Sequence, residues 1–430
     1  MTDALQTAAE YRCPGEAYTI SRAVHLGRLA RFYPACRVCE HRHETGVLSP
    51  RQVKRLRETE HRGQESPRFQ SEEVGGVALG KLPPGTVREV AAALGLCLRR
   101  GLLGGPPPPA AGTGAEPREL AVVVAGDGRP AIAELVAAAC EGLRWTGCHV
   151  VDLGAASTAC LMFAADHLHA AGGLLVGAGR GGPHRVAMKL FGPGAAPLSP
   201  RGLAAVRRQR DQGIDRPTRR FGGLRRFQAE EPYRDLLRPH YHALRPLRFV
   251  LDGACRPLRE HLGRLAAGLA CTPLTSEIGA AGLPERVVAE EAHFGLHVDD
   301  DGERCRAVDE RGCEVDAGRL LMLIARRLFS AEGPSGGTVV VPREAGPLQP
   351  HRLASLGAEV VRSDPSRAAM AEALRRHGAA CGGSPDGRLW YGGAGVPLPD
   401  ALHTLTHLLA LLSRSDRPFS VVLDREAPWG

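Results

Sequence analysis

Apolar and polar positions along the 430-residue chain fall into a pattern that recurs. Leu120 to Val124 is a continuous apolar run, Gly126-Asp127-Gly128 follows as a turn, and Ala131 to Leu143 carries apolar residues at helical spacing. A second apolar run, Val150 to Leu153, completes the stretch. The spacing predicts a buried strand, an amphipathic helix and a second strand, which together make a βαβ unit. Leu247 to Leu274 reads as strand, turn and helix, and Gly336 to Asp364 reads the same way. Three units of similar build, about a hundred residues apart, predict three related α/β domains in tandem.

Between the first two units lies Gly172 to Gly192, GGLLVGAGRGGPHRVAMKLFG. The run Leu174-Leu175-Val176 stops at Gly177, Gly179, Gly181 and Gly182, then resumes as Val186 to Phe191. Strand, glycine loop, strand is how α/β proteins present backbone amides to a phosphate. This loop carries no hydroxyl, carboxylate or thiol.

Composition narrows the picture only slightly. Hydrophobic content of 43% and charge of 24% are ordinary for a globular protein, and aromatics at 4% leave the cores to Ala, Val and Leu. The net charge of +8 comes almost wholly from arginine, because lysine occurs only at Lys54, Lys81 and Lys189. The arginines are scattered rather than striped, which argues against a nucleic-acid partner. No apolar run approaches the roughly 18 residues of a membrane helix, and the N-terminus lacks a basic-then-apolar signal pattern. A cytoplasmic protein is expected, with its twelve cysteines mostly reduced.

One cysteine group has metal spacing. Cys13, His25, Cys36 and Cys39 form C-x11-H-x10-C-x2-C, with His41 and His43 just beyond. The C-x2-C pair places two sulfurs on one side of a turn, and a tetrahedral zinc needs two further ligands. Cys13 and His25 are the nearest candidates, with His41 or His43 as alternatives to His25. Ile20, Val24, Leu26, Leu29 and Phe32 give a helical face between them. So short a segment gains from a metal staple. Residues 1–48 are therefore expected to form a small structural zinc module, and 49–68 a charged helix and linker. Residues 104–117, GGPPPPAAGTGAEP, read as an exposed insertion.

Taken in order, these landmarks resemble the α-D-phosphohexomutase superfamily, which includes phosphoglucomutase and phosphomannomutase, from about residue 70 to about residue 425. VVVAGDGRP stands where the family has a strand ending in Gly-Arg-Asp-x-Arg, which gives Asp127 and Arg129 matching places. The glycine loop stands where the family reads Gly-Ile-x-Ile-Thr-Ala-Ser-His-Asn-Pro-Pro and then Asn-Gly-Ile-Lys; Gly173, Ala178, Pro183 and Lys189 agree. FGLHVDDDGERCRAVDERG resembles the metal loop Gly-Ile-x-x-Asp-Gly-Asp-x-Asp-Arg. CGGSPDG falls at the sugar-recognition Gly-Gly-Glu-x-Ser-Gly-His.

The resemblance implies three phosphohexomutase-type α/β domains with mixed sheets, at 69–222, 223–332 and 333–430. It also implies a chemistry. A serine carries the phosphoryl group, and magnesium on three aspartates offsets the charge spread over its oxygens. Several positions depart from that scheme. The serine's place is Gly179, and the family's threonine, histidine, asparagine and first proline are Gly177, Arg180, Gly181 and Gly182. Asp299 and Asp301 match two metal ligands and Glu303 replaces the third, so magnesium is expected to bind weakly or not at all. Arg304 matches the arginine that follows. The sugar-loop glutamate, serine and histidine correspond to Ser384, Asp386 and Arg388, which leaves Arg304, Ser384 and Arg388 as candidate phosphate or sugar contacts. EEVGGVALG lacks the arginine of the family's N-terminal Gly-Ile-Arg-Gly. The family's fourth domain is not expected after RPFSVVLDREAPWG.

The sequence thus predicts a degenerate member, inactive or strongly impaired, with a binding, regulatory or scaffold role toward a hexose phosphate or a partner protein. One alternative is an active phosphoglucomutase/phosphomannomutase-type isomerase with an atypical site near Asp127, Arg129, Arg180 and Lys189. Another is a zinc module that binds nucleic acid or a partner protein.

Overall fold

The computed structural model describes residues 10–14, 16–31, 36, 39–50, 52–53, 68–70, 72–78, 82–104, 120–179, 185–214, 220–253, 255–332, 337–346, 350–392 and 396–428. Arg180 and nearly all of the 104–117 insertion and the 49–68 helix and linker lie outside the described residues. The chain divides into Met1–Pro67 and Arg68–Gly430.

In the first unit, Glu10–Arg12 and Thr19–Ser21 pair antiparallel, with Tyr11 opposite Ile20. The Ser21 hydroxyl accepts from the Val24 amide and so caps the helix Arg22–Ala30, over the stretch where apolar spacing predicts one. The expected zinc set is not assembled. Among the described residues no three His, Cys, Asp or Glu side chains gather as a metal-holding group. Cys13, Cys36 and Cys39 are buried, but the Cys13 sulfur accepts from Arg28 Nη1 at 3.0 Å. His25 lies flat on Tyr11 at 4.2 Å, and its Nε2 faces the Glu44 carbonyl at 3.3 Å. Glu44 also takes Tyr11 Oη at 2.9 Å and His41 Nδ1 at 2.8 Å. The histidines expected to bind metal thus serve a carboxylate and an aromatic ring.

The second unit holds three sheets. The first orders its strands 68–69, 74–78, 185–191, 172–178, 121–126, 149–155 and 224–226. The second runs 272–276, 248–252, 294–298, 305–309 and 314–315, and the third runs 359–363, 338–342, 381–383, 389–391 and 398–399. In the second and third, the first three strands are parallel and the last two antiparallel. The middle five strands of the first sheet repeat that order and sense. The tandem mixed α/β architecture expected from sequence is therefore present, with four strands connected alike in all three sheets and the fifth preceding them in the first sheet but following them in the other two.

Burial on both faces explains the unbroken apolar run of the first unit. Along Ala121–Gly126, Val122 and Val124 enter a core with the helices Pro84–Arg99, Ala133–Trp145 and Pro200–Asp211. Val123 and Ala125 enter another core, which continues through all three sheets to Ala427. The helix expected over 131–143 spans Ala133–Trp145 after a single 3-10 turn. It touches Pro84–Arg99 so closely that a Cβ on Gly142 would lie 2.2 Å from the Arg88 carbonyl oxygen. A backbone oxygen inside a helix cannot step aside. Gly142→Ala should therefore lower stability by about 2 kcal/mol in urea denaturation, despite alanine's better helix propensity. An unchanged midpoint would contradict this packing.

Candidate functional site

The three sheets place one hairpin each in equivalent positions, between the third and fourth strands of the shared topology. These hairpins are the glycine loop after Ala178, the acidic loop Asp299–Arg304 and the loop Ser384–Arg388. The sequence landmarks are thus the same turn of the fold, seen three times.

Gly179 follows the strand Gly172–Ala178, and its amide donates to the Arg185 carbonyl at 3.3 Å. A Cβ built there would lie 3.1 Å from Ala187 Cβ, a tight contact that a shift of a few tenths of an ångström would have to relieve. Asp127 and Arg129 pair with each other: Arg129 Nε is 2.7 Å from Asp127 Oδ2, and its amide donates to Oδ1 at 3.0 Å. Burial raises the Asp127 carboxyl above the usual carboxylate range.

Lys189 sits opposite Leu175 on the strand Arg185–Phe191. Val186, Met188 and Leu190 fill one core, so alternation turns Lys189 to the other face with Phe191. The ammonium is 2% exposed. It donates to Thr158 Oγ1 at 3.2 Å, to Glu303 Oε1 at 2.9 Å and to Asp301 Oδ2. Thr158 opens the helix Thr158–His167, which Ser157 caps, and its amide donates to the Asp301 carbonyl at 3.1 Å.

Asp299 shapes the acidic loop from within. Its Oδ1 accepts the amides of Glu303 at 2.8 Å and Arg304 at 3.0 Å, and Oδ2 accepts from Arg304 Nη1 at 3.1 Å. Gly302 turns the loop at φ 76°, a left-handed conformation that favours glycine. Glu303 is fully buried, and its second oxygen meets Arg367 Nε at 3.2 Å and Arg388 Nε at 3.3 Å.

The third hairpin seats itself edge-on against the second. Arg304 and Arg388 form an antiparallel bridge, and the Cys305 amide donates to the Gly387 carbonyl at 3.0 Å. A Cβ on Gly387, at φ 88°, would come within 2.5 Å of the Cys305 oxygen, so glycine permits the approach. Arg388, 1% exposed, points inward to Glu72 Oε2 at 2.9 Å. The Arg367 amide donates to Glu72 Oε1 at 2.6 Å. Arg304 spans Asp299 and Asp386, and Ser384 donates to Asp386. The expected phosphate or sugar contacts Arg304, Ser384 and Arg388 therefore all have partners inside the protein.

The electrostatics follow from this closure. Burial works against the Asp301 charge, yet the Lys189 ammonium holds the carboxyl below the usual range. Glu303 is held well below it against burial by Arg367, Lys189 and Arg388. Burial and the adjacent Asp301 push Asp299 well above it.

The magnesium set Asp299, Asp301 and Glu303 is likewise not gathered as a metal-holding group among the described residues. Sequence reasoning named Lys189, Asp301, Glu303, Arg304 and Arg388 but not their union. It missed Thr158, Glu72 and Arg367. Glu72 lies in the EEVGG stretch, whose paired carboxylates are a usable signal; Arg367 opens an ordinary amphipathic helix and carries none.

Residues 110–214 match the family model described as phosphoglucomutase/phosphomannomutase, alpha/beta/alpha domain I. The chain is 26% identical over 380 residues to a phosphoglucomutase/phosphomannomutase of Thermococcus kodakarensis, covering 82% of this chain and 78% of that protein. It is 28% identical over 322 residues to a phosphoglucosamine mutase of Symbiobacterium thermophilum, covering 70% and 72%. A crystal structure of a phosphoglucomutase/phosphomannomutase family protein from Burkholderia thailandensis shares the fold, with a TM-score of 0.70 at 23% identity, over 83% of this chain and 79% of that one. Among the described residues no helix is long and apolar enough to cross a membrane.

Proposed function

The chain belongs to the α-D-phosphohexomutase superfamily, and from that premise we propose that it is a member that binds without carrying phosphate. Gly179 carries the reading. A covalent phosphoryl carrier needs a nucleophilic oxygen, and this position has no side chain at all. The closed hairpins support it, because Asp301 and Glu303 pair with Lys189, and Glu303 also with Arg388, inside the protein. The role that remains is recognition, regulation or assembly, and a hexose phosphate is the ligand class to try first.

Incubation with glucose 1,6-bisphosphate should leave the intact mass unchanged, and glucose 1-phosphate and mannose 1-phosphate should not be isomerised. Gly179→Ser restores an oxygen at the cost of a tight contact with Ala187, yet should remain inert because the ion pairs stay closed. Turnover by the unaltered protein that disappears on Asp301→Ala would overturn the proposal and favour an atypical mutase.

A further inference from the structure

We propose that Lys189 is a built-in replacement for a divalent cation: its ammonium occupies the seat between Asp301 and Glu303, and the protein binds no magnesium there. The inference stands on ion-pair geometry and not on the absence of phosphate transfer. An ammonium has three donors. Lys189 has three acceptors in reach, Asp301 Oδ2, Glu303 Oε1 and Thr158 Oγ1, so its capacity is filled.

The oxygens tell the same story. Magnesium demands about six oxygens at roughly 2.0–2.1 Å in octahedral array. Of the six carboxylate oxygens of Asp299, Asp301 and Glu303, five already face a nitrogen. Asp301 Oδ1 and Glu303 Oε2 are buried without a hydrogen-bond partner, but Glu303 Oε2 still faces the Arg367 and Arg388 guanidinium nitrogens at 3.2 and 3.3 Å, so only Asp301 Oδ1 of the six faces no cation or amide. One open oxygen is not a metal site. A divalent ion would also have to enter beside Lys189, with Arg367 and Arg388 on the same glutamate, and like charges at such range repel strongly in a buried setting.

The same geometry says how to restore the site. Lys189→Met keeps the length of the stem and releases Asp301 Oδ2 and Glu303 Oε1. In a manganese titration read by electron paramagnetic resonance, the unaltered protein should hold no ion tightly. Lys189→Met should bind manganese at least about tenfold more tightly, and lose thermal stability in EDTA that magnesium restores. Lys189→Gln, which can still donate to Thr158, gives a second reading should the methionine variant not fold. Stoichiometric manganese on the unaltered protein, a melting temperature of that protein that falls in EDTA, or folded variants with no gain in affinity would each overturn the proposal. A phosphorylated but metal-free protein would defeat the preceding section alone; a metal-loaded, inert protein would defeat only this one.

Discussion

Glu303→Gln should lower the stability of the 68–430 unit by about 3–5 kcal/mol, the cost of removing one partner from a buried charge cluster. Glu303 alone faces Lys189, Arg367 and Arg388, and all four side chains are at most 4% exposed. Its neutral amide would leave three buried cations with Glu72, Asp301 and Asp386 to share. The contrast is Arg306→Ala, which breaks an ion pair with Glu314 in which both side chains are 62% exposed. That change should cost well under about 1 kcal/mol, because water screens such pairs. Urea denaturation of the two variants measures the difference. A Glu303→Gln variant within about 1 kcal/mol of the parent would mean that the cluster is wetter than its burial implies.

Acid should destabilise the fold strongly, by on the order of 3–5 kcal/mol between about pH 7 and about pH 5. Two buried histidines and the half-buried His403 drive the effect. His403 is pushed down to about 3, by burial and then by His240. His261 is pushed down to about 4, by burial and then by Arg234. His407 lies well below the ordinary value through burial, His403, Arg327 and His240. Tyr391 stacks on His403 and His407, and Arg327 Nε donates to His407 Nδ1 at 3.0 Å, which favours the neutral ring. In the unfolded chain each imidazole takes a proton near pH 6.5, while the folded chain refuses it, so stability falls as the pH drops through that value. Asp400 opposes the trend, as do Asp127 and Asp299, whose carboxyls burial also raises. Burial raises Asp400 to about 6, so it holds a proton in the folded state that the unfolded chain has already released. His407→Leu should make the dependence shallower, and a flat profile for the parent would mean that the folded rings titrate as freely as in water.

The elements were readable from sequence because burial leaves a period. Strands covered on both faces show as unbroken apolar runs, and the helices against them keep one apolar side. The hairpin loops were readable because glycines and carboxylates cluster there. What joins them was not. Lys189 lies 112 residues from Asp301 and 114 from Glu303, and no local spacing reports a pairing at that distance. Thr158 and Arg367 look like ordinary first-turn residues of helices. In the N-terminal unit the local signal was incomplete. Cys36 and Cys39 have metal spacing, but Glu44, outside that pattern, takes Tyr11 and His41 by its carboxylate and His25 by its carbonyl.

The three equivalent hairpins have a mechanical consequence. The second and third sheets bring their hairpins edge to edge, and a strand of the first sheet adds Lys189 to the same knot of opposite charges. A hinge that must open to admit a cargo would have to untie that knot against the cost of exposing unpaired ions to a greasy interior. Opening any one of the three sheets away from the others would leave at least one of these buried charges without its partner.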